Sequence, residues 1–208
     1  WAEVAAAAAF EDWNPSHFFF FFEMTHALAL AYDWLYDQWD EDQRRTLEEA
    51  IVTHGLEPAM EVYRSGEWWP LSENNWNQVC NGGIGMGALA IGDQVPDLAS
   101  AILWEALHSL PRAMGHYAPD GAGTEGVTYW DYGTRYNIIF LSALESALGT
   151  DFSLSQIGGF AQSGSYQLYM SGAERMAFDF GDCQLRPMSA AQHFWLGRRY
   201  DMPQYSWF

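Results

Sequence analysis

Apolar residues recur along most of the chain at the three- and four-residue spacing that is typical of amphipathic α-helices. No segment shows the sustained alternation of apolar and polar residues that a β-sheet requires. Short polar breaks separate the helical patterns, and we therefore predict an all-α fold. This pattern does not distinguish a bundle from a solenoid or a closed toroid. The predicted helices cover residues 24–39, 40–63, 77–91, 95–114 and 125–148, and residues 153–163 and 181–201 are predicted to be helical in part.

Proline, glycine and phenylalanine modify the helical pattern at three places. Pro58 has no N–H group to donate within the second predicted helix, so we expect a kink or a break there. Five consecutive phenylalanines at 18–22 cannot all face one side of a helix, so some are expected to be exposed. Four glycines in the third predicted helix each lower its stability by about 1 kcal/mol relative to alanine, and we expect close backbone approach to compensate. These glycines are Gly82, Gly83, Gly85 and Gly87.

Composition narrows the classes of partner. The 208 residues, 49% of them hydrophobic, are enough for one large domain or two small ones. Nine basic and 27 acidic residues give a formal net charge of −18, which disfavours binding to nucleic acid or to an anionic membrane surface. No stretch reaches the roughly 18 to 20 apolar residues of a membrane span. Cys80 and Cys183 have neither metal-ligand nor redox spacing, so we expect two buried thiols, with one long-range disulfide as the alternative.

The first group of candidate site residues lies where a loop meets the third predicted helix. It contains three asparagines and a glutamine beside a tryptophan, more neutral hydrogen-bonding groups than one helix cap requires. An amide that donates to a carboxylate can stabilise additional negative charge on it without bringing a competing charge. The alternative interpretation is capping and packing. The group is Glu73, Asn74, Asn75, Trp76, Asn77 and Gln78.

The second group lies at residues 120–132 and continues into the helix predicted to follow. Tyr129, Tyr132 and Tyr136 fall at positions i, i+3 and i+7, which places three phenols along one helix face. Glu125 precedes Tyr129 by one turn. A phenol in a cleft can protonate a leaving oxygen, and it can remove a proton if its pKa is lowered. The alternative interpretation is an aromatic packing stripe.

Three segments, residues 23–37, 74–93 and 119–137, resemble conserved blocks of the heparinase II/III-like polysaccharide lyases and the related alginate lyases. The resemblance extends over roughly residues 20–208. It implies an incomplete (α/α) toroid, here a single domain over residues 1–208 of a longer protein. A C-terminal β-sandwich domain would follow and is absent from this chain. The resemblance also implies a periplasmic or secreted location.

The same resemblance implies β-elimination on a uronic-acid-containing polysaccharide, so the expected partner is an acidic polysaccharide or oligosaccharide. Amide and histidine side chains would neutralise the uronate carboxylate and thereby acidify the proton on C5. A tyrosine would protonate the departing O4, and a tyrosine or histidine would remove the C5 proton. The substrate would lie in a groove between the toroid and the absent sandwich. This chemistry implies no metal and no cofactor.

Carried over position by position, the resemblance assigns the catalytic phenol to Tyr129, with Tyr132 as second choice. Asn75 and Asn77 match the amides that neutralise the carboxylate. Several relatives have a histidine directly after the asparagine, whereas Trp76 or Gln78 stands there in this chain. His116, just before the Asp-Gly turn, is the best alternative base. The side chains expected to contact the substrate are Trp76, Gln78, Glu125, Trp130 and Arg135.

Several alternatives stay open at this stage. Arg135 could bind a substrate carboxylate or form a surface ion pair, and His26 and His193 are expected to be packing residues. A glycoside hydrolase would find acid and base carboxylates in Asp120, Glu125 and Asp131. A non-catalytic glycan-binding domain is the third possibility.

Overall fold

The computed structural model describes residues 1–188 and 190–207. Within these residues the chain is helical without a β-strand, and its only β-type pairings are two isolated bridges. The predicted all-α class is therefore confirmed. No helix in the described ranges has both the length and the apolar character needed to cross a membrane. Nine α-helices lie in the described residues: α1 Ala2–Ala8, α2 Phe18–Trp34, α3 Glu41–Ala50, α4 Glu57–Ser65, α5 Asn75–Ala90, α6 Pro96–Met114, α7 Val127–Leu148, α8 Ser163–Tyr169 and α9 Gln192–Arg199.

Contacts between Cα atoms divide the chain into two compact units. Unit 1 contains Trp1–Leu71 and Val79–Ser109. Unit 2 contains Ser72–Gln78 and the chain from Leu110 onward. The prediction of one domain over residues 1–208 stays a prediction.

Helix α3 of unit 1 begins with a reciprocal cap. The Gln43 backbone N–H donates to Asp40 Oδ1 at 2.9 Å, and the Asp40 N–H donates to Gln43 Oε1 at 3.0 Å. The backbone stays helical from Glu41 to Ser65, which confirms the predicted helical stretch, but a π-helical segment, Ile51–Leu56, divides it into α3 and α4. Pro58 lies in the first turn of α4, where its missing N–H is tolerated. The change in hydrogen bonding therefore precedes the proline.

The glycines of α5 allow close packing within unit 1. A Cβ atom at Gly83 would lie 2.6 Å from the carbonyl oxygen of Phe22, and one at Gly87 would lie 2.5 Å from Thr25 Cγ2. Both contacts are too short for any residue larger than glycine, so the expected close approach is confirmed. Helix α2 also contains the phenylalanine run, in which Phe22 is buried and Phe20 is exposed. The expectation that some of these rings are exposed is confirmed as well.

Unit 2 departs from the prediction between residues 153 and 180. The segment 153–163, predicted to be partly helical, contains the 3-10 helix Leu154–Gln156 and Ser163, the first residue of α8. Gly159 adopts φ +85°, and a Cβ atom there would lie 2.1 Å from the carbonyl oxygen of Tyr117, so helix cannot continue through it. Helix α8 forms mostly in the stretch between the two segments that were predicted to be helical in part. Its Gly164 packs against the Tyr205 ring, a tertiary contact that outweighs the low helix propensity.

The two cysteines are free thiols in buried positions. Burial raises the pKa of the Cys80 thiol well above its ordinary value, because the thiolate would lose its hydration. The expectation of two buried thiols is confirmed. The alternative of a disulfide between Cys80 and Cys183 is wrong.

Candidate functional site

Six of the predicted site residues line one small pocket of unit 2, which we call the amide pocket. Its volume of about 30 Å³ has room for water but not for a sugar ring. A polysaccharide would therefore contact the mouth of this pocket. The six residues are Asn75, Gln78, His116, Glu125, Tyr129 and Trp130.

Glu125 and Asn75 connect the two predicted groups of site residues. The Asn75 backbone N–H donates to Glu125 Oε2 at 2.7 Å, and Asn75 Nδ2 donates to Glu125 Oε1 at 2.7 Å. Asn75 is the first residue of α5, so the carboxylate also faces the positive end of the helix dipole. Both oxygens of Glu125 are thus engaged by Asn75. A substrate hydroxyl that contacts Glu125 would have to donate to the remaining lone pairs of these two oxygens.

The rest of the Asn75 side chain is buried. Its Oδ1 atom accepts no hydrogen bond from any residue in the described ranges. The amide nitrogen has two hydrogens, and the hydrogen bond to Glu125 uses one of them. The Asn75 amide is therefore fixed in orientation by Glu125, with donor capacity remaining.

A buried chain of hydrogen bonds supports the same end of α5. Gln78 Nε2 donates to the Tyr117 hydroxyl at 2.8 Å, and that hydroxyl pairs with Thr134 Oγ1 at 2.8 Å. Burial raises the pKa of Tyr117 to about 12, so its phenol stays neutral. A Cβ atom at Gly133 on α7 would lie 1.9 Å from Gln78 Oε1, so a larger residue there would displace the Gln78 amide. Gln78, predicted to contact substrate, is a buried support of the pocket.

His116 and Glu73 form an exposed pair at the amide pocket. His116 Nε2 lies 3.0 Å from Glu73 Oε2, and the two side chains are 44% and 65% exposed. An Nε2–H that donates to the carboxylate selects the tautomer whose Nδ1 atom carries the lone pair. The geometry therefore leaves Nδ1 as the proton-accepting atom of the ring.

Tyr129 has a partner that the sequence did not reveal. Its hydroxyl donates to Asp182 Oδ2 at 2.9 Å. This hydrogen bond is the main cause that raises the pKa of Tyr129, followed by partial burial and the negative charge of Asp182. At neutral pH the phenol therefore keeps its proton and acts as a donor.

Two glycines bring Asp182 close to Tyr129. Gly126 adopts φ +90°, and a Cβ atom there would lie 2.5 Å from the carbonyl oxygen of Phe180. Gly181 adopts φ +63°, and its Cβ atom would lie 3.1 Å from the carbonyl oxygen of Glu125. The loop before α7 and the loop with Asp182 thus pack backbone to backbone. A Gly-Asp pair in the sequence predicts a turn but does not identify its distant partner.

A second and larger pocket of unit 2, which we call the arginine pocket, contains the predicted site residues Tyr132 and Arg135. Its volume of about 500 Å³ is in the range of small-molecule binding sites. Tyr129 lines both pockets, so the phenol is their common wall. The arginine pocket is lined by Thr128, Tyr129, Asp131, Tyr132, Arg135, Arg186, Pro187 and Met188.

Tyr132 and Arg135 lie in the arginine pocket and do not line the amide pocket. The Tyr132 ring packs edge-on against Tyr136, with the ring centroids 5.4 Å apart. Arg135 Nη2 donates to Asp131 Oδ2 at 2.6 Å along the helix. The interpretation of Arg135 as a surface ion pair is therefore confirmed.

Three other predicted site residues are less accessible than the prediction requires. Asn77 is fully buried, and Trp76 is half-buried outside the amide pocket. Trp130 lines the amide pocket but is only 2% exposed, and its Nε1 atom donates to no described residue. A sugar cannot stack on a ring that is buried to this extent. Trp130 instead packs near His193, with the ring centroids 5.5 Å apart.

His26 and His193 are buried on α2 and α9, as expected for packing residues. Burial lowers the pKa of each, because a charged imidazolium would lose its hydration. The His193 Nε2 atom also lies 3.0 Å from the carbonyl oxygen of Gly164. Both histidines are therefore held neutral in the packed interior of their units.

Metal ligands do not cluster in the described residues. In residues 1–188 and 190–207, no three His, Cys, Asp or Glu side chains lie close enough together to hold a metal ion. At the amide pocket the Glu73 and His116 pair supplies two such side chains.

Comparisons with known proteins do not identify a family for this chain. No protein-family model matches the chain, and a search of curated proteins finds no significant match. The likeness to heparinase II/III-like lyases therefore rests on the three sequence segments alone.

Proposed function

We propose that this protein is a polysaccharide lyase that cleaves a uronic-acid-containing polysaccharide by β-elimination. One observation carries the proposal: Asn75, His116 and Tyr129 line the same pocket although the chain separates the first from the last by more than fifty residues. An amide, an imidazole and a protonated phenol are groups that can serve elimination from a uronate.

The amide's role in this proposal is to bind the substrate carboxylate. Glu125 orients Asn75, and the second hydrogen of Asn75 Nδ2 donates to the uronate at the pocket mouth. Removal of the C5 proton places additional negative charge on that carboxylate. A donor that is already oriented stabilises this charge without a cost of reorganisation. Glu125 thus acts as a positioning residue.

Proton transfer uses two different groups. His116 Nδ1 takes the C5 proton, and the electron pair of that C–H bond becomes the C4–C5 double bond. The C4–O4 bond breaks, and the Tyr129 hydroxyl protonates the departing O4. The raised pKa of Tyr129 suits an acid better than a base, so we assign the base to His116. Asn77 and Tyr132 are left out, since neither of them lines the amide pocket.

The finer architecture belongs to the same proposal. We propose that the helices form an incomplete (α/α) toroid, completed as a substrate groove by a β-sandwich domain of a longer protein. A secreted or periplasmic location would give such an enzyme access to extracellular polysaccharide. These statements rest on the resemblance of the three sequence segments.

A glycoside hydrolase is the second candidate, because Glu73 and Glu125 both line the amide pocket. Hydrolysis with a carboxylate pair needs one acid and one base or nucleophile. Both oxygens of Glu125 already accept hydrogen bonds from Asn75, which favours the lyase. Asp131 likewise accepts from Arg135 and Gln192.

The test is a screen of the protein against alginate, heparan, chondroitin and hyaluronan, read by ultraviolet absorbance of the new conjugated double bond. We expect unsaturated products from at least one polymer. Tyr129→Phe should lower the rate about a hundredfold or more, because it removes the acid. Tyr169→Phe is the control, since that exposed ring lines neither pocket.

Each other outcome contradicts the proposal in a different way. Saturated products alone would identify a hydrolase. Binding of oligosaccharides without any turnover would indicate a glycan-binding domain. An undiminished rate in Tyr129→Phe would remove Tyr129 from the role of acid.

A further inference from the structure

The guanidinium of Arg186 lies in the arginine pocket without a counter-charge. It forms no ion pair or hydrogen bond with any residue in the described part of the chain. The chain has 27 acidic and nine basic residues, so carboxylate partners are abundant. Arg45, Arg135 and Arg199 each pair with an acidic side chain, whereas the exposed Arg64, Arg112 and Arg198 resemble Arg186 in having no ion pair with a described residue. Arg186 differs from these three in lining a pocket together with Tyr129.

The backbone that carries Arg186 is held in place by buried neighbours. The Ala177 N–H donates to the Arg186 carbonyl oxygen at 2.9 Å, and Pro187 pairs with Met176 in an isolated bridge. The next residue, Met188, is buried in a cluster with Val127 at the start of α7. The cation is therefore presented from an anchored segment beside the helix that carries Tyr129 and Tyr132.

The charged side chains that line the pocket are Asp131, Arg135 and Arg186. Arg135 is compensated by Asp131 at 2.6 Å, and the other Asp131 oxygen accepts from Gln192 at 2.8 Å. Among the residues that line the pocket, this leaves the charge of Arg186 uncompensated. A guanidinium binds carboxylate and sulfate groups through two parallel N–H donors.

We propose that the arginine pocket is a subsite for an anionic group on the sugar next to the cleavage point, and that Arg186 binds that group. The inference rests on the proposed function, because Tyr129 as acid lies between the two pockets. A chain with its uronate at the amide pocket would extend past the Tyr129 hydroxyl into the larger hollow. The phenols of Tyr129 and Tyr132 would flank the sugar ring. Arg186 would thus select for charge on the neighbouring sugar.

The test measures binding apart from turnover. Three tetrasaccharides are titrated calorimetrically into the Tyr129→Phe protein, in which we expect turnover to be slow: a mannuronate tetramer, the same tetramer with its carboxyls reduced to alcohols, and a sulfated neutral tetramer. Adding Arg186→Met should weaken binding of the anionic probe about tenfold or more, through loss of a charged hydrogen bond. Arg64→Met is the matched control, because it removes one exposed guanidinium outside the pocket.

The outcomes separate this inference from the proposed function. Equal affinities of the Arg186→Met and Arg64→Met proteins for every probe would overturn the subsite, even if the parent protein is an active lyase. Equal weakening of the reduced tetramer would also overturn it, since that probe has no charge to lose. A selective loss for the mannuronate or for the sulfated tetramer supports the subsite and identifies which anion it takes.

Discussion

The amide pocket and the arginine pocket share Tyr129 but differ in how their polar groups are satisfied. In the amide pocket Asn75 is paired with Glu125, Gln78 with Tyr117, and His116 with Glu73. In the arginine pocket Arg186 has no partner among the described residues, and the volume is about 500 Å³. A small pocket with fixed donors is suited to stabilise charge that develops in a reaction. A roomy pocket with an uncompensated cation is suited to bind charge that is already present.

Removal of the Glu125 carboxylate, which orients the Asn75 amide, should have the largest effect on the difference between the two pockets. In Glu125→Ala the Asn75 amide and the first N–H of α5 lose their acceptor, so the amide pocket, like the arginine pocket, would contain a donor without a partner. We expect kcat to fall about a hundredfold, because the carboxylate-binding donor is no longer oriented. The free energy of unfolding should fall by about 1 to 3 kcal/mol. Steady-state kinetics and urea unfolding measure the two effects.

Glu125→Gln is the matched variant for this prediction. Its amide keeps one acceptor oxygen for Asn75, so kcat should recover in part. A substrate-binding role for Glu125 would raise KM and leave kcat unchanged in both variants, and that result would contradict the positioning role.

Gly133→Ala tests whether the amide pocket depends on the close approach of α7 to α5. The added Cβ atom would lie 1.9 Å from Gln78 Oε1, so Gln78 must leave its hydrogen bond to Tyr117 or the helix must shift. Overpacking of this kind lowers the free energy of unfolding by about 1 to 3 kcal/mol. Gly158→Ala is the control, because nothing lies within 4 Å of its Cβ position. Equal stability of the two variants would show that the Gln78 side chain can adopt another conformation without loss of stability.

Asp182→Asn should change the titration of Tyr129 with a smaller effect on the fold. Asp182 raises the pKa of Tyr129 mainly because its carboxylate accepts a hydrogen bond from the protonated phenol, and also because a phenolate beside a carboxylate is disfavoured. Without that charge the pKa falls, the acid loses its proton at lower pH, and the alkaline limb of kcat/KM moves to lower pH. NMR of tyrosines labelled at the ring carbon next to the hydroxyl, assigned with Tyr129→Phe, measures the same shift without substrate. An unchanged Tyr129 titration in Asp182→Asn would contradict the contact.

Regular helices were more predictable from the sequence than the segments between them. Helix α6 follows the predicted 95–114 closely, and α7 ends at the predicted Leu148, because long runs of apolar residues at helical spacing dominate there. Helix α8 was missed, since its glycine and serines favour a loop until Tyr205 packs against them. Local patterns do not contain such tertiary contacts.

The site was predictable only where chemistry and spacing coincide within one segment. Asn75 and Tyr129 were identified because amides and phenols are uncommon in such density, and both line the amide pocket. Asp182 and Arg186 were missed, because each lies beside residues about fifty positions away in sequence. Asn77 was predicted on the same grounds as Asn75, the density of amides and the resemblance, but it is fully buried. Burial and long-range pairing are properties of the packed fold, which a linear pattern does not encode.

Removal of the Glu73 carboxylate, which lies beside His116, should have the smallest effect. It tests whether the exposed side chains at the rim of the amide pocket are also held in a fixed orientation. Both side chains of the Glu73 and His116 pair are more than a third exposed, so Glu73→Ala should change the free energy of unfolding by less than about 0.5 kcal/mol. Without Glu73 the ring loses the acceptor that selects its Nε2–H tautomer, and kcat should fall a few-fold. In His116→Ala the same Glu73→Ala change should have no further effect on kcat, because the two residues act as one unit. Additive losses in the double variant would mean that Glu73 acts on the substrate itself, and the rim of the amide pocket would then resemble the arginine pocket in binding the substrate directly.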